Sequence, residues 1–198
     1  MSRFIETIRL LDGKFGNLIF HQLRMHRSIQ EFYGADLSID LKEVISSCPV
    51  PSYGLYKVKL VYDKRVQEVL VSPYSIKKVK KLKIVYDDSI SYSHKFQVRD
   101  ELNNLFEQRG NCDDIIIARN KFLTDASYAN LVFGMSGKWF TPTTYLLNGT
   151  MRQQLLAKKI IHEKEITVHD LHRYEKVKLV NAMLQFDGPE IDVSQIVS

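Results

Sequence analysis

The sequence contains few of the residues that mark specialised folds. Among its 198 residues are two cysteines, five prolines and nine glycines. The two cysteines, Cys48 and Cys112, give neither a disulfide framework nor the ligand spacing of a metal site. Glycine and proline are too scarce for a fibrous or disordered chain. We therefore expect one globular domain, or two small ones, in a reducing cytoplasmic compartment and without a bound metal.

Long apolar segments are also absent. No apolar run approaches the roughly 20 residues that a membrane-spanning helix needs. The first residues, MSRFIETIRLL, lack the long apolar stretch of a secretory signal. The sequence therefore predicts a protein without a membrane partner.

The usual catalytic signatures are missing as well. The chain contains no glycine-rich dinucleotide fingerprint, no phosphate-binding loop ending in Gly-Lys-Ser/Thr, no GxSxG elbow and no HExxH motif. The six histidines lack the spacing of metal ligands. Any function must therefore be inferred from weaker patterns.

Positive charge is in modest excess, with a formal net charge of +5. Five lysines cluster between positions 77 and 83, as in some nucleic-acid-binding proteins. They interleave with Val79, Leu82 and Ile84, a pattern typical of a half-buried strand with a solvated basic face. We expect no nucleic-acid binding, since an attraction to anionic metabolites explains the charge equally well.

The order of the patterns indicates an α+β chain in two parts. Residues 1–87 contain a hairpin that extends into 18–20, a helix that stops at Gly34, a second short helix at DLKEVISSC, and three β-rich runs. Residues 88–198 contain an irregular segment, DSISYSHK, and then a helix over VRDELNNLFEQRG. Strands follow at DDIIIA, SYANLVFGM and GKWFTP, with RNKFLTD as a turn and a later helix that opens at Gly149.

The start of that later helix is a candidate anion site. The first backbone N–H groups of a helix attract anions, and Gly149 would let a phosphate approach closely. Arg24, on the first helix, could add a guanidinium fork to the same anion.

Three stretches together resemble the class IV aminotransferase family, whose members are fold-type IV pyridoxal-phosphate enzymes. FIETIR with HQLRMHRS resembles the opening strand and the phosphate-binding arginine. RNKFLTDASYANLVF, with KWFTP and LLNGTMR, resembles the central signature, and VNAML the closing cofactor strand. The resemblance runs from Phe4 to Met183 in the correct order. It implies a D-amino acid aminotransferase-like fold, homodimers, and two small α/β domains with pyridoxal 5'-phosphate in the cleft between them.

The resemblance also implies roles for individual residues. Lys95 matches the Schiff-base lysine, which must be able to lose its proton near neutral pH. Asp125 matches the acid that pairs with the pyridine nitrogen. Many members carry glutamate there, so the shorter aspartate implies a slightly shifted ring or backbone. The remaining matched cofactor-binding residues are Arg24, Gly149, Thr150, Met151 and Asn181.

Two details favour the 4-amino-4-deoxychorismate lyase branch, which releases 4-aminobenzoate and pyruvate in folate synthesis and acts on a small-molecule amine. Asn-Gly stands at 148–149 and Asn-Ala-Met at 181–183, where aminotransferases tend to carry Pro-Gly and Gly-Thr. The chain also starts almost at the first family strand, which implies a trimmed small domain. An aminotransferase acting on branched-chain or D-amino acids, and a non-catalytic binding protein of the same fold, remain as alternatives.

Overall fold

The computed structural model describes residues 2–36 and 38–198. The chain folds into two units, each with its own sheet. The first extends up to Ile76 and also contains His94–Val98. The second comprises Lys77–Ser93 and Arg99–Ser198. The division therefore falls earlier than the boundary near 87 that the sequence indicated, and the segment with Lys95 belongs to the first unit.

The first unit is built on an antiparallel sheet with the strand order β2-β1-β3-β4. Its apolar core lies around Phe4, Ile8, Met25, Ile29 and Leu60, all of which are almost fully buried. Its elements are β1 (Phe4–Leu11), β2 (Lys14–Phe15), α1 (Leu18–Tyr33), α2 (Leu41–Ser46), β3 (Leu55–Tyr62) and β4 (Val66–Pro73).

Helix α1 begins earlier than the sequence pattern suggested. Residues 18–20 were expected in the returning strand of the hairpin but form the first turn of α1. The reason is local, because Asp12 and Gly13 turn with positive φ and Asn17 is again left-handed, which leaves only two residues for β2. The end of α1 matches the expectation. Gly34 has φ 59° and donates its N–H to the carbonyl of Gln30, as a glycine cap does.

The second unit is built on a larger mixed sheet with the order β10-β9-β8-β7-β6-β5-β13, in which β11 joins β8 and β12 joins β11. Its main core surrounds buried residues such as Ile116, Leu131, Phe133 and Leu179. Two 3-10 helices cover Val168–Arg173 and Val193–Gln195. Its other elements are β5 (Leu82–Tyr86), α3 (Asp100–Glu107), β6 (Asp114–Arg119), β7 (Phe122–Ala126), β8 (Asn130–Met135), β9 (Lys138–Pro142), α4 (Thr150–Ala157), β10 (His162–Lys164), β11 (Lys176–Val180), β12 (Glu190–Asp192) and β13 (Ile196–Val197).

Two expectations for this unit are corrected. The stretch RNKFLTD was predicted as a turn, but only Asn120 and Lys121 turn, both with positive φ, and the chain then continues as β7. The lysine-rich stretch was expected to be a strand throughout, but β5 starts only at Leu82. The backbone that precedes β5 is held by the carboxylate of Asp113, which accepts the N–H groups of Lys80 and Lys81 at 2.7 and 3.0 Å.

None of the helices in the part of the chain that the structure describes has the length and apolar character needed to cross a bilayer.

Gly34→Ala should lower the free energy of unfolding by about 1 kcal/mol, because an L side chain is strained in the left-handed region. A Cβ at this position would meet no atom within 4 Å, so the cost is conformational and not steric. Gly34→Asn is the matched control and should lose less, since asparagine tolerates this conformation. Urea unfolding of the three proteins measures the difference, and an alanine variant as stable as the parent would contradict the prediction.

Candidate functional site

A buried ionic cluster joins β1 to α1 in the first unit. Glu6 and His21 are fully buried, and Arg24 is 5% exposed. The Nε of Arg24 donates to Oε1 of Glu6 at 2.9 Å, and its Nη2 donates to Oε2 at 2.5 Å. The Nδ1 of His21 lies 2.5 Å from the same Oε2. Glu6 therefore binds the guanidinium with both of its oxygens, which fixes the plane of the fork.

The charges of this cluster follow from burial and neighbours together. Burial raises the pKa of Glu6, but the charge of Arg24 and the contact with His21 outweigh it and bring the pKa to about 2. Burial lowers the pKa of His21, more than its bond to Glu6 raises it, and the positive charges of Arg24 and Lys95 act in the same direction as burial. At neutral pH the cluster therefore pairs a carboxylate with a guanidinium, next to a neutral imidazole.

The sequence indicated that Arg24, on the first helix, could add a guanidinium fork to a bound phosphate. The structure places Arg24 in the interior, with two of its three guanidinium nitrogens bonded to Glu6. The carboxylate that holds it lies 18 residues earlier, so the helix pattern alone gave no sign of the pairing. Removal of Arg24 would leave a buried carboxylate without its cation, which is costly.

Lys95 lies in the first unit, on a segment that is fixed against β1. Its carbonyl accepts the N–H of Ile5 at 2.9 Å. Phe96 forms a bridge with Phe4, and the two rings stack at 5.3 Å between centroids. The Lys95 side chain is half-buried, and its charge acts on His21. The structure thus groups Lys95 with the Arg24 cluster, while the other predicted site residues belong to the second unit.

Asp125 lies within β7, buried to 6% exposure. Its Oδ2 accepts the N–H groups of Leu146 and Leu147 at 3.1 and 2.9 Å, and its Oδ1 accepts the Nδ2 of Asn130 at 2.7 Å. Burial raises the pKa of Asp125 to about 6, although these donors oppose the shift. The carboxyl group therefore anchors the loop that leads into α4.

Asn130, which the sequence patterns did not indicate, connects the same parts. It is the first residue of β8 and is 5% exposed. Besides Asp125, its Nδ2 reaches the carbonyl of Leu147 at 2.8 Å. A Cβ added to Gly149 would lie 2.1 Å from its Oδ1, so the asparagine side chain itself requires a glycine there. A polar residue at the start of the apolar run NLVFG was the signal available in the sequence.

Helix α4 begins as predicted, with Gly149 as its N-cap. Gly149 has no side chain with which to cap the helix, and the first turn of α4 contains no acidic residue. Thr150 and Met151, which open the helix, are each 2% exposed. The first N–H groups of an α-helix have no acceptor within the helix, so this set of donors suits an anion such as phosphate.

Arg152 is a second residue that the sequence patterns did not indicate. It is 2% exposed and stacks over the ring of Tyr145, with 4.1 Å between Cζ and the ring centroid. Its Nη1 donates to Oδ1 of Asn148 at 3.2 Å, and its Nη2 donates to Oε1 of Glu163 at 2.5 Å. Arg152 therefore holds the residue that precedes the N-cap of α4.

The side chain of Asn181 forms hydrogen bonds with backbone groups of two loops. Its Oδ1 accepts the N–H groups of Met183 and Leu184, both at 2.9 Å. Its Nδ2 donates to the carbonyl of Tyr128 at 3.1 Å. Asn181 thus ties the turn after β11 to the loop between β7 and β8, three residues after Asp125.

Comparisons with known proteins give the family. The sequence model of a protein family described as "Amino-transferase class IV" matches residues 89–186. An uncharacterised protein of Haemophilus influenzae is 34% identical over 186 residues, which are 92% of this chain and 98% of that protein. The chain belongs to the class IV aminotransferase family. The fold-type IV, α+β architecture expected from the resemblance is thereby confirmed.

Solved structures agree with this membership. A structure from Haemophilus somnus, provisionally named a 4-amino-4-deoxychorismate lyase, is 36% identical with a TM-score of 0.88. It covers 93% of this chain, which covers 98% of it. A Mycobacterium tuberculosis protein, named a hypothetical aminotransferase and solved in a pyridoxal-phosphate-bound form, shares the fold at 16% identity and a TM-score of 0.75. The alignment covers 98% of this chain and 81% of that one.

Class IV aminotransferases depend on pyridoxal 5'-phosphate, and this member has residues that fit the group. The start of α4 presents N–H donors of the kind that suits a phosphate. A carboxylate offers about four lone-pair sites, and three donors occupy Asp125, which leaves a site for a protonated pyridine nitrogen.

Acid should destabilise the chain through Glu6. The pKa of Glu6 in the folded chain lies below its ordinary 4.5, so its contribution is complete above pH 4.5 and is lost as the pH falls toward 2. At about 1.4 kcal/mol per pKa unit, the loss is about 3 kcal/mol. The double variant Glu6→Gln/Arg24→Met removes both charges and should show a flatter profile in that range. Denaturant unfolding at several pH values measures this, and parallel profiles would contradict it.

Proposed function

We propose that the chain is a pyridoxal-phosphate-dependent 4-amino-4-deoxychorismate lyase, which releases 4-aminobenzoate and pyruvate. The observation that carries the proposal is the match over almost the full length of the Haemophilus somnus protein that provisionally bears this name. Asn-Gly at 148–149 and Asn-Ala-Met at 181–183 support the same branch. Such an enzyme serves folate synthesis.

The proposed cofactor contacts are the ones that the family resemblance implies. The amides of Thr150 and Met151 bind the phosphate at the start of α4. Arg24, which the resemblance matches to the phosphate-binding arginine, contributes a guanidinium that Glu6 orients. Gly149 and Asn181 shape the surroundings through their backbone contacts. When bound, the cofactor supplies a protonated ring that draws electron density from the substrate carbon. The carboxylate of Asp125 keeps the proton on the ring nitrogen, and Lys95 provides the amine for covalent attachment.

The proposed proton transfers centre on Lys95. Its Nζ takes the proton from the substrate ring carbon that bears the amino group. The bond between the ring and the enolpyruvyl oxygen then breaks, and the ring becomes aromatic 4-aminobenzoate. The departing enolpyruvate takes up a proton and becomes pyruvate. Together the two products have the composition of the substrate, so the reaction consumes no oxidant, water or amino acceptor.

Two further assignments accompany this function. We propose a homodimer, because the family resemblance implies one. We also propose a cytoplasmic location, because the chain has only two cysteines, and both are unpaired in the described structure.

The product assay separates the lyase from its alternatives. The purified chain, supplied with pyridoxal 5'-phosphate and 4-amino-4-deoxychorismate, should release pyruvate and 4-aminobenzoate in equal amounts without any 2-oxo acid. Strict dependence on a 2-oxo acid would instead identify an aminotransferase acting on branched-chain or D-amino acids. Uptake of the cofactor without turnover of either substrate class would identify a non-catalytic binding protein.

The role of Lys95 is tested by chemical labelling. Borohydride treatment of the cofactor-loaded protein should fix a pyridoxyl group on the peptide that contains Lys95. Lys95→Ala should lose the label and nearly all turnover. Lys83→Ala, which changes another half-buried lysine, should retain both. Mass spectrometry of the digested protein locates the label, and a label on a different lysine would overturn the assignment.

A further inference from the structure

We propose that Asn130 is a positioning residue that holds Asp125 and the start of α4 at Gly149 in one fixed arrangement. The acid for the pyridine nitrogen and the donors for the phosphate would then depend on a single side chain. The inference rests on the proposed function for the roles of these two groups, but the link between them is visible in the protein alone.

The amide nitrogen of Asn130 uses both of its hydrogens on this link. It lies 2.7 Å from Oδ1 of Asp125 and 2.8 Å from the carbonyl of Leu147. Both partners are acceptors, so only the nitrogen of the amide can face them. Asn130 is also the residue of β8 that pairs with Asp125 of β7. One side chain thus connects two strands to the loop before α4.

The amide oxygen of Asn130 then faces the N-cap of α4. A Cβ at Gly149 would lie 2.1 Å from this oxygen and 3.3 Å from the adjoining carbon, far inside van der Waals contact. Any side chain at position 149 would therefore push the amide away from Asp125. The side chain of Asn130 therefore requires glycine at position 149, and the helix start lies against the same group that holds the carboxylate.

Asp125 needs this support because its side chain is short. Two backbone N–H groups of the loop bind one of its oxygens, and Asn130 binds the other. Without the amide, Oδ1 would lose this donor in a position that is almost fully buried. An unsatisfied buried acceptor is costly, and one of the three contacts that fix the direction of the carboxylate would be lost.

The test compares Asn130→Ser with Thr141→Val. Thr141 is also buried, and its hydroxyl donates to the carbonyl of Leu131 at 2.8 Å, so its loss reports the cost of a buried hydrogen bond in the same sheet. We measure the Kd of pyridoxal 5'-phosphate and of phosphate-free pyridoxal, and the 15N chemical shift of the labelled ring nitrogen. Asn130→Ser should weaken pyridoxal 5'-phosphate at least tenfold, reduce the advantage of the phosphorylated over the phosphate-free form, and move the 15N shift. Thr141→Val should leave both Kd values within twofold of the parent and the 15N chemical shift unchanged.

The proposal would be overturned by a folded Asn130→Ser protein whose preference for the phosphorylated form is unchanged. It would also be overturned if the 15N chemical shift of the ring nitrogen stayed the same, because Asp125 and the start of α4 would then not be coupled through Asn130. If the parent chain binds no pyridoxal 5'-phosphate, the proposed function fails, and the link is tested in the cofactor-free protein. There, 13C NMR of the Asp125 carboxyl should show a higher pKa in Asn130→Ser than in the parent, because a donor to the charged form is lost. An unchanged titration would reject the link.

A second pair of variants tests the contact with the N-cap. Gly149→Ala should lower the unfolding midpoint of the parent clearly, because the new methyl group collides with Asn130. In the Asn130→Ser background the same change should cost much less, since the obstacle is gone. Equal losses in the two backgrounds would show that Asn130 does not occupy this space and would overturn the proposal.

Discussion

A buried carboxylate that is held mainly by hydrogen bonds from neutral donors organises the candidate site of the second unit. Asp125 lies in the interior of a sheet, where an ionised group without partners would be strongly destabilised. Its three N–H donors come from β8 and from the loop before α4, so the strand and the loop must keep their places for the carboxylate to remain satisfied. The position of the helix start follows from this requirement, and not from the local preference of residues 148–150 alone.

The first unit also contains a buried carboxylate, but there the pKa shifts in the opposite direction. Glu6 is even more deeply buried than Asp125, yet its pKa falls to about 2 while that of Asp125 rises to about 6. The difference lies in the partners, because Glu6 binds a full guanidinium charge and Asp125 binds mainly neutral N–H dipoles. Arg24 therefore keeps Glu6 ionised at neutral pH. The pKa of Asp125 is raised because burial outweighs its neutral donors.

The sequence predicted what depends on neighbouring residues. The cap at Gly34, the opening of α4 at Gly149 and the irregular segment around Lys95 all rest on local composition, and each is found as expected. The family resemblance supplied the fold. The burial of Arg24 and the contacts of Asn130 were not predicted from the sequence, because their partners lie elsewhere in the chain. Glu6 precedes Arg24 by 18 residues, and the carbonyl that Asn130 binds follows it by 17. Strand β7 was predicted as part of a turn. The turn is in fact short, because Asn120 and Lys121 both adopt positive φ, which residue preferences did not indicate.

The return of His94–Val98 to the first unit has a consequence for the order in which the chain can assemble. The polypeptide passes from one unit to the other three times, at 76/77, 93/94 and 98/99. During synthesis, the sheet of the first unit can form once β4 has left the ribosome. The stacking of Phe96 on Phe4 must wait until part of the second unit has also emerged. Neither unit corresponds to one continuous stretch of the gene, so a truncation at any single point deprives the first unit of Lys95 or leaves it joined to a fragment of the second.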